Sequence, residues 1–148
     1  MSSNSIELRF IDEETIQQAI PLFQELYSNN SEDRLRHLFP QMFDSNYRCI
    51  GFFDGDKLIG VCGVWSLVKH YVGKHLEVDN VIIAKEYRRL KLGDKLMEFV
   101  ENLALEEGNE AIELNCHVAN SKGVAFWVKH GFSIIGFHFQ KRLKPQKI

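Results

Sequence analysis

Apolar and polar positions alternate through Ile6, Glu7, Leu8, Arg9 and Phe10, the two-residue period of a short strand. From 13 to 27 the period lengthens. Ile16, Ile20, Phe23 and Tyr27 fall at helical spacing, and Pro21 inside the segment predicts a kink or a break. Ser31 is placed to cap a second helix, whose stripe is Leu35, Leu38, Phe39, Met42 and Phe43, with Pro40 within it. Two apolar runs, 47–53 and 58–65, flank an Asp54-Gly55 turn signal and predict a hairpin. Residues 75–83 read as a further strand that follows Gly73, so a second hairpin is expected. Leu92, Leu96, Phe99, Val100 and Leu103 then return at the spacing of a core-facing helix over 92–107, with Gly108 as its stop. Residues 111–118 read as a strand. Asn120 is placed to cap a short helix that ends at Gly131, and 132–143 closes the chain as a strand in which Gly136 suggests a bulge.

The order β-α-α-β-β-β-α-β-α-β predicts an α/β (α+β) fold with a mixed, mostly antiparallel central sheet flanked by helices. The strand 75–83, the helix 92–107 and the strand 111–118 form one crossover, expected parallel and right-handed. At 148 residues, without repeats or linkers, the chain reads as one domain over 1–148. A formal net charge of -2 argues against duplex nucleic acid as the main partner, because phosphate neutralisation needs a dominant basic face. Three cysteines (Cys49, Cys62 and Cys116) without a C-x-x-C suit a reducing compartment better than a disulfide framework or a zinc ribbon. A buried structural role is expected for Cys116. The six histidines show no metal-ligand spacing, so no metal is expected. The start lacks the basic and apolar regions of a signal peptide, and no apolar run is long enough to span a bilayer. The expectation is a cytoplasmic, soluble protein without a membrane partner.

The candidate chemistry centres on Tyr87-Arg88-Arg89-Leu90-Lys91-Leu92-Gly93-Asp94, where strand 75–83 gives way to helix 92–107. A helix start carries unsatisfied N–H groups and partial positive charge, which favours an anion. Gly93 would let a ligand approach the backbone, and Arg88, Arg89 and Lys91 add charge. The alternative is a solvated loop kept wet by basic residues.

This stretch resembles the pyrophosphate-binding signature of the GNAT superfamily of acetyl-CoA-dependent N-acetyltransferases, Arg/Gln-x-x-Gly-x-Gly/Ala. Arg88 and Gly93 match, and Lys91 stands where the family has its first glycine. A second block, Asn120 to Gly136, resembles the family's Asn-x-x-Ala-x-x-Phe-Tyr-x-x-x-Gly-Phe region. Asn120, Phe126, Gly131 and Phe132 match, while Gly123 replaces Ala and Trp127 replaces Tyr. The resemblance runs from about 6 to 143.

The resemblance implies a direct acetyl transfer from acetyl-CoA to a primary amine. It places the pantetheine and thioester on Val81, Ile82 and Ile83, and the pyrophosphate on Arg88, Arg89, Leu90, Lys91, Leu92, Gly93 and Asp94. Asn120 and Trp127 would complete the cofactor site. A base is needed because a protonated amine cannot attack. Glu77 is the first candidate, and Asp79, of the same strand parity, is the second. Trp127 cannot serve as the general acid that the family's tyrosine provides, so water or a tyrosine such as Tyr71 would take that role. The rim of the acceptor pocket is expected at 27–34. Dimers are common in the family, and the open edge of the last strand invites a homodimer. A non-catalytic acyl-CoA sensor on the same fold is the rival reading. A nucleotide-phosphate binder is weaker, because no Walker-type sequence is present.

Overall fold

The protein is described by a computed structural model covering residues 2–145. The outermost ends of the expected 1–148 domain lie outside the described residues. Five strands form one sheet in sequence order: β1 (Ile6–Ile11), β2 (Tyr47–Asp54), β3 (Lys57–Lys69), β4 (Gly73–Ile83) and β5 (Ala111–Leu114). The first three ladders are antiparallel and β4–β5 is parallel. The four helices are α1 (Ile20–Leu26), α2 (Glu32–Phe43), α3 (Gly93–Glu106) and α4 (Ser121–Lys129).

Local chemistry accounts for most boundaries. A 3-10 stretch, Thr15–Ala19, precedes α1, and Pro21 falls in the first turn of α1, where its missing N–H costs nothing. The segment 13–27 therefore breaks as expected. Ser31 caps α2 by accepting from the Arg34 N–H at 3.1 Å. Gly55, Gly73, Gly108 and Gly131 all take positive φ at the turns and helix stops assigned to them.

The sheet separates two apolar layers. On one face, α3 lays Leu96, Val100 and Ala104 on Ile50, Phe52, Val64, Leu76 and Val78. On the other, α1 and α2 lay Phe23, Leu35 and Phe39 on Cys49, Val61 and Ile82. Leu76 and Val78 thus serve the α3 layer while Ile82, of the same parity, serves the α1/α2 layer. A register shift explains the switch. Val61 pairs with Ile82 but Gly63 pairs with Asp79, so Asn80 and Val81 together oppose Cys62. This is a β-bulge, and Asn80 adopts φ 36 to make it.

Three expectations need correction. The strand 111–118 ends at Leu114. The closing strand over 132–143 does not form: those residues carry no ladder, and Ile134, Ile135, Phe137, Phe139 and Leu143 stay largely exposed. Alternation supplies a strand's faces, but a strand needs a neighbour for its backbone groups, and β5 pairs only with β4. Cys116 is half-buried, while Cys49 and Cys62 are fully buried. Burial pushes the Cys49 thiol up to about 12 and the Cys62 thiol higher still, so neither is a nucleophile.

Candidate active site

The β4–β5 ladder runs only from His75–Ala111 to Val78–Leu114. Beyond Val78 the two strands part, and residues 79–83 of β4 have an edge that β5 does not cover. The bulge sits at the start of this opening. A regular strand would send Asp79 and Asn80 to opposite faces. The bulge puts both on the α1/α2 side, where they line one cavity of about 320 Å³. Helix α1 and the turn after it contribute Phe23, Leu26, Tyr27 and Asn30 to its walls, and α2 contributes Leu35, Leu38, Phe39 and Met42.

The floor is ordered by hydrogen bonds. Trp65 Nε1 donates to Asp79 Oδ2 at 2.9 Å, and the Asn80 N–H donates to Asp79 Oδ1 at 2.7 Å. The buried Tyr47 hydroxyl donates to Asn80 Oδ1 at 2.9 Å. Burial drives the Tyr47 phenol well above its ordinary range, so it stays a neutral donor. Gly63 makes room for this pair: a Cβ there would lie 2.4 Å from both Asn80 Oδ1 and the Tyr47 ring. Asn80 Nδ2 is buried and has no partner.

Glu77 lies two residues before Asp79 but does not line the cavity. It pairs across the ladders with Trp65 and Glu113. Tyr71, at the β3–β4 turn, donates to Glu113 Oε1 at 2.6 Å. That bond raises the Tyr71 pKa, and Tyr71 sits at the end of β4 away from α3, so it is neither acidic nor placed for the general-acid role. His75 is wholly buried, with Nδ1 3.0 Å from the Gly73 carbonyl. Among the described residues no group of three or more His, Cys, Asp and Glu could hold a metal ion.

At the other end of the opening, β4 leads through a 3-10 turn (Lys85–Leu90) into α3. No side chain caps α3, so its first N–H groups are available to an anion. The basic residues divide. Arg88 is a strut: Nε donates to the Ile83 carbonyl at 2.9 Å, and Nη2 reaches Glu25 on α1 at 3.5 Å. Arg89 bonds the Glu86 carbonyl. Lys91 is exposed and takes the left-handed conformation, φ 51 and ψ 57, that a glycine would adopt freely. Leu92 is core, and Leu90 packs against it, so both offer only backbone to a ligand. Gly93 also has a packing role. A Cβ there would lie 2.5 Å from the Phe126 ring, so the glycine lets α4 pack on the start of α3.

Asn120 caps α4, accepting from the Gly123 N–H at 3.0 Å. Trp127 is half-buried, edge-on to Phe126 and Phe132 and packed on the α3-side core. The expected rim at 27–34 does border the cavity, through Tyr27 and Asn30. Sequence reasoning missed the bulge; the Asp79-Asn80 pair inside an apolar strand pattern is its one local hint, since Asn tolerates positive φ better than most residues.

A parted strand pair has a bulge at its start, and its strand leads to an uncapped helix. Residues 14–132 match the acetyltransferase (GNAT) family profile. The chain belongs to this family. GNAT acetyltransferases are acyltransferases, and the fold agrees with solved structures. One is the aminoglycoside acetyltransferase meta-AAC0020 from an uncultured soil metagenomic sample, at TM-score 0.80 and 18% identity, covering 95% of this chain and 98% of that one. A second is glucosamine-6-phosphate N-acetyltransferase from Arabidopsis thaliana, at TM-score 0.70 and 19% identity, covering 94% and 99%. A GNAT family acetyltransferase from Staphylococcus aureus has TM-score 0.75 and 20% identity, covering 97% and 100%. No curated protein sequence matches the chain. No helix among the described residues is long and apolar enough to cross a membrane.

Proposed function

We propose that this GNAT protein transfers an acetyl group from acetyl-CoA to a primary amine, within a single ternary complex. The observation that carries the reading is the opening of β4 from β5 beside the Asp79–Asn80 bulge, on a strand that leads to the uncapped start of α3. Acetyl-CoA supplies the acyl group as a thioester. The α3 N–H groups and Lys91 hold its pyrophosphate, and the free edge of 79–83 holds the arm and offers N–H groups to the thioester oxygen. Asn120 and Trp127 border this path from α4. Asp79, on the cavity floor, takes the proton from the acceptor ammonium, directly or through water, so that a neutral nitrogen attacks. Glu77 is the reserve base. The C–N bond forms as the C–S bond breaks, and the second proton of the attacking nitrogen passes through water to the departing thiolate, because a thiol is a tolerable leaving group near neutral pH.

Calorimetric titration with acetyl-CoA, with ATP as control, tests the cofactor. Lys91→Glu is expected to weaken acetyl-CoA about tenfold, ~1.4 kcal/mol, and pantetheine far less, since only the former carries the pyrophosphate. Equal losses on both would remove the phosphate role of Lys91. Heat from ATP but none from acetyl-CoA would overturn the reading.

A further inference from the structure

The cavity beneath α1 and α2 is unusually specific in its chemistry. Its walls are mostly aliphatic and aromatic, from Phe23, Leu26, Leu38, Phe39 and Met42, with Tyr27 and Asn30 on the turn after α1. Its charged group and its amide donor lie at the floor. Asp79 is the one carboxylate lining it, and no cationic side chain among the described residues pairs with Asp79. Its two hydrogen bonds leave acceptor sites open. The unpartnered Asn80 Nδ2 adds a donor that a ligand acceptor can satisfy. At about 320 Å³ the cavity lies at the small end of the ~300–1,000 Å³ typical of small-molecule sites, which suits a small acceptor.

Resting on the acyl-transfer reading above, we propose that the acceptor is a small primary amine with an apolar body, of phenylalkylamine size. The ammonium meets Asp79 and the ring or branched chain fills the space between α1 and α2. Amino sugars and polyamines fit poorly, because those walls leave their hydroxyls and second ammonium groups without partners. The discriminating feature is therefore the wall rather than the carboxylate, which any cationic amine would satisfy.

Trp65 reports on this floor, because its Nε1 is bonded to Asp79. In Trp127→Phe it is the sole tryptophan, since the chain has two. Fluorescence titrations of that variant, with and without CoA, compare phenethylamine, spermidine and glucosamine, and calorimetry on the unmodified chain repeats them. Phenethylamine is expected to saturate at a concentration at least tenfold below the other two. Leu38→Asn is expected to weaken phenethylamine about tenfold and spermidine little. One methylene in an apolar pocket shifts affinity by about tenfold or more, so benzylamine is expected to bind more weakly than phenethylamine. Equal or tighter binding of spermidine or glucosamine overturns the proposal, as does saturation by none of the three. Failure of the acyl-transfer reading looks different: phenethylamine binds while acetyl-CoA does not.

Discussion

Lys91 holds a left-handed backbone that a glycine would take without strain. The cost is about 1–2 kcal/mol for a residue with a Cβ, offset in part because glycine has more freedom to lose on folding. Lys91→Gly is therefore expected to leave stability near that of the parent. Lys91→Val, β-branched at positive φ, is expected to lower it by about 1–2 kcal/mol in urea unfolding. Equal midpoints for all three proteins would show that the turn adapts. Gly93→Ala is the complementary case. Its Cβ meets the Phe126 ring, so a loss of about 1–3 kcal/mol is expected, and Phe126→Leu in the same chain is expected to restore most of it. Additive losses would place the strain elsewhere. Gly93 has a neighbour 33 residues further on, the Phe126 ring, and no local pattern names it.

Helices and hairpins were legible because their signals are local: Ser31 and Asn120 as caps, Gly108 and Gly131 as stops, Asp54-Gly55 as a turn. The bulge and the short β5 were not, because register depends on which strands meet. Ion pairs between elements were equally invisible. Arg48 on β2 holds Glu107, just past α3, through two bonds of 2.7 Å. This bidentate bond keeps the Glu107 carboxyl below its ordinary 4.5. A depressed carboxylate pKa stabilises the fold fully above its unfolded value, and that stability is lost as pH falls through the folded value. Both side chains are one-third exposed, so the pair contributes about 1 kcal/mol. Glu107→Gln is expected to lower stability by that amount at pH 7, with the difference from the parent shrinking below about pH 4.5. A difference constant with pH would contradict the assignment.

For the molecule as a whole, the unpaired arm after α4 is the outstanding feature. Ile135, Phe137, Phe139 and Leu143 share one parity, and the two phenylalanines are 85% and 89% exposed. They alone expose roughly 300 Å². With Ile134, Ile135 and Leu143 the arm matches or exceeds the ~300–600 Å² of the largest apolar patch on a typical monomer. Among the described residues no strand pairs with the far edge of β5. A second copy of the chain, its arm laid along that edge, would cover both surfaces at once. Light scattering is expected to report two chains at high concentration, and Phe137→Ser with Phe139→Ser is expected to leave one chain throughout. A parent protein of one-chain mass at every concentration would sink this assembly.

The extra residue at Asn80 is a phase slip in a grating of period two. Upstream of it, the even-numbered positions of β4 (Leu76, Val78) face the α3 layer, and downstream the even-numbered Ile82 faces the α1/α2 layer while Ile83 takes the α3 side. A one-residue deletion at this point would be the molecular counterpart of a reading-frame error: the residues downstream in the strand would keep their identities, and each would be delivered to the opposite layer.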